Sequence, residues 1–126
     1  DSEAVSPEAV RSTGIEPLWL QAPDVVGALD SAVADLLAQV SGTVGVVVPR
    51  ALRSAVRAVV SDPRVAVVDT WQVKGLEYDG CVVLAPELVL TEAMSKVAGL
   101  RTLYVALTRA TQRLVVLSTE PREWLD

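Results

Sequence analysis

Apolar residues in this chain follow two rhythms. Some form short unbroken runs, and others recur every third or fourth position. Val44-Gly45-Val46-Val47-Val48, Val65-Ala66-Val67-Val68-Asp69 and Cys81-Val82-Val83-Leu84-Ala85 are runs of strand length, rich in β-branched residues. Glu16 to Leu20 reads as a shorter strand closed by Pro23, and Arg113 to Ser118 as a last one. Between them, Val25, Leu29, Val33, Leu36, Leu37 and Val40 keep helical spacing, with Asp24 as N-cap and Ser41-Gly42 as terminator. Pro49 suits a first helical turn, and a second helix is expected over 51–60, with Leu52, Val56 and Val59 on one face until Asp62-Pro63 breaks it. Leu100, Leu103, Tyr104 and Leu107 mark a further helix, with Tyr104 on its apolar face and therefore in the core. The stretch 86–98 has weak periodicity and reads as a loop with some helix. Residues 1–14 are mostly polar and read as an exposed lead-in.

Strands alternating with helices of these lengths imply right-handed crossovers. The expected architecture is an α/β fold, with a mainly parallel sheet between two layers of helices. Uninterrupted Val/Ala/Leu runs fit strands buried on both faces, as does a composition that is 51% hydrophobic and 21% charged. A length of 126 residues accommodates one domain. No apolar run approaches a membrane span. Histidine is absent, which removes histidine-based triads and the common zinc sites, and no metal site is expected. Cys81, inside an apolar run, is expected to be a buried core thiol, and a lone cysteine fits a reducing cytoplasm. A net charge of −5 argues against autonomous binding to nucleic acid, though not against a local basic face. The chain begins at Asp1 without a methionine, and we expect it to be part of a longer protein.

Ligands of parallel sheets bind beyond the carboxyl ends of the strands, and two polar segments are expected in that kind of position. The first, Thr70 to Asp79, offers Lys74 for phosphate charge, Gly75 for close backbone approach and Glu77 as an acceptor for a sugar hydroxyl. In the second, Leu103 to Thr111, the only charge is Arg109 at the end of an apolar helical face. Taken singly, each reads as an ordinary feature: a charged turn after a strand, and a cation favoured by a helix C-terminus.

Together they carry more. Lys74-Gly75-Leu76-Glu77-Tyr78-Asp79 resembles helicase motif V of superfamily 1, usually written KGLEFD. Leu103-Tyr104-Val105-Ala106-Leu107-Thr108-Arg109-Ala110 resembles motif VI, with its tyrosine-valine pair and threonine-arginine-alanine triplet. They occur in the family's order, with a strand and a variable stretch between them. Upstream, Val10 to Pro17 is similar to the stretch that follows motif IV, and Val44 to Arg53 to the strand and arginine-ending helix of motif IVa. The chain thus resembles the C-terminal RecA-like domain of UvrD/Rep-type helicases over nearly its whole length. The wording of motif VI is most similar to that of the HelD branch, whose members act on RNA polymerase.

That resemblance implies a RecA-like three-layer sandwich spanning 1–126 and completing an ATP site. Arg109 would be the arginine finger on the γ-phosphate. Glu77 would accept from the ribose hydroxyl, Gly75 would admit the nucleotide, and Lys74 would sit near the γ-phosphate or hold the loop. Thr70 and Gln72 would face single-stranded DNA. Where the family often has histidine this chain has Gln72, which leaves a generic polar contact. Arg50, Arg53 and Arg57, spaced by three and four, form either a solvated face or a phosphate-tracking patch. Trp71 could stack on a base, but its expected place is the core.

The resemblance further implies ATP, with Mg2+ held by an N-terminal RecA-like domain of the same protein. Partners would be that domain, single-stranded DNA and, on the HelD reading, RNA polymerase. No glycine-rich loop ending in Gly-Lys-Ser or Gly-Lys-Thr occurs in the sequence, so the chain alone is expected to be inactive as an ATP hydrolase. The rival reading is a degenerate RecA-like domain acting only as a protein-interaction module. Intact Lys74, Glu77 and Arg109 argue against it.

Overall fold

The computed structural model describes residues 15–73 and 75–120. Lys74, the lead-in over 1–14 and most of the stretch from Val10 to Pro17 lie outside the described residues. Five strands form one sheet: β1 (Leu18–Gln21), β2 (Val44–Val48), β3 (Val65–Asp69), β4 (Tyr78–Leu84) and β5 (Ala110–Ser118). Their spatial order is β1-β5-β4-β2-β3, and each neighbouring pair is parallel. The sheet expected to be mainly parallel is wholly so.

Helices cover both faces. On one lie α1 (Val25–Gln39) and α2 (Arg53–Val59), packed through Val25, Leu29, Leu36 and Val56 against Val44, Val46, Val48, Val82 and Leu84. On the other lie α3 (Pro86–Glu92) and α4 (Lys96–Leu107), where Val89, Leu100, Leu103 and Leu107 meet Val47, Cys81, Val83 and Val116. Because β2 and β4 are central, their side chains are buried on both faces. That is why the sequence shows unbroken runs there. The three-layer arrangement inferred from the element order is what the chain forms.

Asp24 caps α1 through its side chain, which accepts from the Gly27 N–H at 3.1 Å. At the other end of α1, Arg64 donates to the carbonyls of Leu37, Val40 and Gly42, satisfying groups the helix leaves unpaired. Within 86–98 there is more helix than periodicity suggests. Pro86 opens α3 after Ala85, which takes a left-handed φ of 49°, and Ser95 caps α4 by accepting from the Ala98 N–H. A proline thus defines α3, and a serine cap the first turn of α4, where an apolar stripe does not.

Several boundaries and burial assignments differ from the sequence reading. β1 is Leu18–Gln21, starting two residues and ending one residue later than expected. β4 begins at Tyr78 and β5 at Ala110, three residues before their apolar runs, because the two strands pair from Tyr78 and Ala110 onward. The helix expected over 51–60 is a 3-10 turn (Arg50–Leu52) followed by α2, so Arg50, Arg53 and Arg57 do not share one α-helical face. Tyr104 is 37% exposed: the buried stripe of α4 runs through Gly99, Leu100, Leu103, Ala106 and Leu107, and Tyr104 falls on its margin. Trp71, expected in the core, is 76% exposed. Cys81 is buried as expected.

No described helix is long and apolar enough to cross a membrane.

Candidate functional site

The link from β3 to β4 (residues 70–77) controls where the candidate residues lie. These strands are parallel and separated by β2, so the link must return from the carboxyl end of one to the amino end of the other. Eight residues can span that length without a helix. Val73 is buried among Val68, Tyr78 and Leu107 on the α3–α4 face and anchors the link as it crosses. Its two ends therefore reach opposite poles of the sheet, roughly one strand length, about 20 Å, apart.

Gly75, Glu77 and Arg109 gather at the amino pole. Tyr78 and Ala110 are register partners, so Glu77 and Arg109 enter the sheet side by side on adjacent strands. The Tyr78 N–H donates to the Arg109 carbonyl at 3.1 Å, and the Thr111 hydroxyl donates to the Tyr78 carbonyl at 3.3 Å. The Tyr78 ring lies over Gly45 of β2. A Cβ at that glycine would stand 2.4 Å from the ring, so only glycine admits the tyrosine that fixes this corner.

Glu77 is exposed and makes no hydrogen bond among the described residues. Gly75 has φ +83°, a conformation that glycine adopts without strain, and nothing lies within 4 Å of the Cβ position. The half-buried Arg109 guanidinium folds back on α4. Its Nε donates to the Val105 carbonyl at 3.0 Å and its Nη2 to the Thr108 hydroxyl at 3.3 Å, capping the helix end. Its Nη1 has no partner among the described residues. Open main chain, an unengaged carboxylate and a partly free guanidinium are groups that can face a nucleotide, and in this respect they fit one.

Beneath this corner, burial pushes the Cys81 thiol up to about 12, against smaller opposing effects of the Gly45 N–H and the Arg109 charge. Tyr78 is raised from its ordinary value by burial first and by the neighbouring Cys81 second.

Thr70, Gln72, Arg50 and Arg53 lie at the carboxyl pole. The first chemical segment is thus divided between the poles, and the second lies at the amino pole rather than beyond the carboxyl ends of strands. Asp69, 5% exposed, organises the turn that follows β3. Its carboxylate accepts from the N–H groups of Trp71 and Gln72 at 2.9 and 3.0 Å, and from Arg53 Nη1 at 3.1 Å. The Gln72 side chain folds back on the turn, where its Oε1 accepts from the Asp69 N–H at 3.0 Å. Arg53 and Gln72 are therefore engaged within the fold, and the turn projects Trp71 outward. Arg50 is exposed beside Glu92, whose carboxylate accepts from the N–H groups of Arg50 and Ala51 at 2.9 and 2.8 Å.

A groove of about 380 Å3 opens at this pole between the turn and the α3–α4 corner. Arg50, Thr70, Trp71, Met94, Arg101 and Val105 are among the residues that line it. Sequence reasoning missed Met94 and Arg101. Neither belongs to a recognisable phrase, and only the packing of the α3–α4 corner brings them to the groove that Trp71 lines. Among the described residues no cluster of His, Cys, Asp and Glu could hold a metal ion.

Residues 64–117, which include the β3–β4 link and α4, match the family model of the UvrD-like helicase C-terminal domain. The fold is similar to the crystal structure of the C-terminal domain of a possible DNA helicase from Lactobacillus plantarum WCFS1. The TM-score is 0.59 at 18% identity, covering 82% of this chain and 71% of that one. No curated protein matches the sequence. From β3 to β5, then, the chain is similar in sequence to the UvrD-like helicase C-terminal domain, and its fold is similar to that of a domain from a possible DNA helicase.

Proposed function

We propose that this chain is the C-terminal motor domain of an ATP-dependent helicase or translocase, contributing the second half of a nucleotide site. The observation that carries this reading is the pairing of Tyr78 with Ala110, which brings Glu77 and Arg109 together at one corner of the sheet. Residues 32 positions apart in sequence share no local reason to meet there.

In this reading Glu77 accepts a hydrogen bond from the ribose, Gly75 gives the nucleotide room, and Lys74 adds charge near the phosphates. Arg109 leaves its helix-capping position when the partner domain closes, and aims its guanidinium at the γ-phosphate. A planar cation is most effective in such a closed, water-poor cleft. ATP with its Mg2+ supplies the phosphoryl group and the metal's charge. The metal and the β- and γ-phosphates are held by an N-terminal RecA-like domain of the same protein. The chain by itself does not hydrolyse ATP.

The nucleic-acid side of the motor is the carboxyl pole. Thr70 and Arg50 face the groove there, while Arg53 and Gln72 hold the turn from within. Single-stranded DNA is the track on this reading. The phrasing of motif VI (Leu103 to Ala110) keeps RNA polymerase as the alternative target.

The test is ATP turnover by the parent protein and its Arg109→Ala variant, with single-stranded DNA or RNA polymerase as stimulant. Loss of the finger should lower turnover by about a thousandfold or more while nucleotide still binds. Turnover equal to the parent's would leave Arg109 as a helix cap only. The stimulant that raises the wild-type rate identifies the track.

A further inference from the structure

β4 breaks its own alternation once, beside the candidate nucleotide corner. Tyr78 and Cys81 stand an odd number of positions apart, yet both pack into the α3–α4 layer. Between them, Asp79 and Gly80 both turn the other way. Asp79 reaches Gly42 in the turn after α1, and a Cβ on Gly80 would meet the Leu36 side chain at 3.4 Å. The register with β5 slips at the same place: Tyr78 pairs with Ala110, but Gly80 pairs with Arg113. Such irregularities re-aim side chains at strand ends. In a regular strand Tyr78 would face the α1–α2 layer and Glu77 the α3–α4 layer. The slip turns Tyr78 over Gly45 instead, and Glu77, just before it, stands exposed.

The Asp79 carboxylate holds this slip in place. Its Oδ2 accepts from the Gly42 N–H at 2.8 Å. The carbonyl of the same glycine accepts from Arg64 Nε at 3.0 Å, so the turn is fixed from its other side as well. The Gly80 N–H donates to the Thr43 carbonyl at 3.2 Å, and the Thr111 hydroxyl ties the Tyr78 carbonyl to β5. A Cβ at Gly42 would collide with the Asp79 carboxylate. Among the described glycines only Gly75 has a positive φ, so it is the space taken by Asp79 that requires glycine at position 42.

We infer that Asp79 is the positioning residue for Glu77: by bracing the slip against Gly42, it keeps the Glu77 carboxylate where a ribose can reach it. This deepens the motor reading, on which it rests. Arg109 is held separately, by the Val105 carbonyl and the Thr108 hydroxyl. Loss of Asp79 should therefore act on ribose recognition rather than on the phosphoryl step.

The test compares turnover of ATP and of 2′,3′-dideoxy-ATP, which lacks both ribose hydroxyls, by the parent protein. Glu77→Ala sets the scale: losing a hydrogen bond to a charged group should erase a preference for ATP of about tenfold or more in KM. Asp79→Ala should lower that preference by about threefold or more, with kcat kept within about twofold. Asp79→Asn, which keeps an oxygen for the Gly42 N–H, should restore most of it. Gly42→Ala should reproduce the loss from the far side. Combined with Asp79→Ala it should lower the preference no further than either change alone, because the collision is then gone. A purely structural role would reduce stability and leave the preference intact. Asp79→Ala or Gly42→Ala with the wild-type preference would overturn the proposal, as would additive losses. If Glu77→Ala itself leaves the preference unchanged, the Glu77 reading fails and this inference with it. If Glu77→Ala removes the preference and Asp79→Ala does not, this inference alone fails.

Discussion

The two poles of the sheet are built in opposite ways. At the amino pole the backbone is tightly determined: Tyr78 hydrogen-bonds to Arg109, and its ring fills the space left by Gly45. Yet the polar side chains there are left partly unengaged. Glu77 has no partner among the described residues, and Arg109 is held by its own helix. At the carboxyl pole the polar side chains are largely consumed. Asp69, Arg53, Gln72 and Glu92 are committed to one another, to Arg50 or to main-chain groups, and the exposed residues include an indole, a thioether and Arg101. On the proposed reading, the charged groups at one pole meet a nucleotide. At the other, charged groups serve as scaffold for a turn that exposes an indole. A single short link, anchored midway by Val73, belongs to both.

The largest effect that could break this contrast is the roughly thousandfold loss of ATP turnover expected for Arg109→Ala in the parent. If the amino pole were scaffold like the other, that loss would not appear.

Next comes Asp69→Ala. It removes the acceptor of three hydrogen bonds and leaves the half-buried Arg53 unpaired, so the chain should lose about 2–4 kcal/mol in denaturant unfolding. A loss under about 0.5 kcal/mol would mean that the turn is not held by its carboxylate.

Cys81 reports on the amino pole from beneath. Burial raises its thiol to about 12, so a thiolate-directed reagent at neutral pH should label it only after unfolding. Rapid labelling of the native chain would show that this corner opens.

The smallest effect concerns Glu87, at the start of α3. Burial by itself pushes its carboxyl up, but the hydroxyls of Thr119 and Ser118, with nearby N–H groups, outweigh it and leave the pKa below its ordinary value. A depressed carboxyl stabilises the fold above its ordinary range, and that contribution fades as pH falls through the lowered value. Unfolding midpoints of the wild type and Glu87→Gln should therefore converge as the solution is acidified. A gap independent of pH would place the effect in packing.

Much of the fold was legible because burial on both sheet faces leaves a periodic trace. β2, β3 and the central part of β4 could be read from their valines alone. Their ends could not, since Tyr78 and Ala110 become strand only by pairing with each other. α3 was hidden for the opposite reason, since a proline defines it more than any stripe; α4 was read from Leu100, Leu103 and Leu107, and only its first turn, capped by Ser95, was not. Trp71 and Tyr104 were misplaced because apolar character does not say which way a turn or a stripe margin faces.

By itself, then, the sequence determined the α/β class, the alternation of elements and the phrases that hold Lys74, Glu77 and Arg109. These follow from local spacing and residue chemistry. Only the tertiary structure decided which of those residues stand together. An eight-residue crossover in a parallel sheet carries one phrase from pole to pole, and strand register, a contact between distant residues, sets Glu77 beside Arg109 and Trp71 far from both.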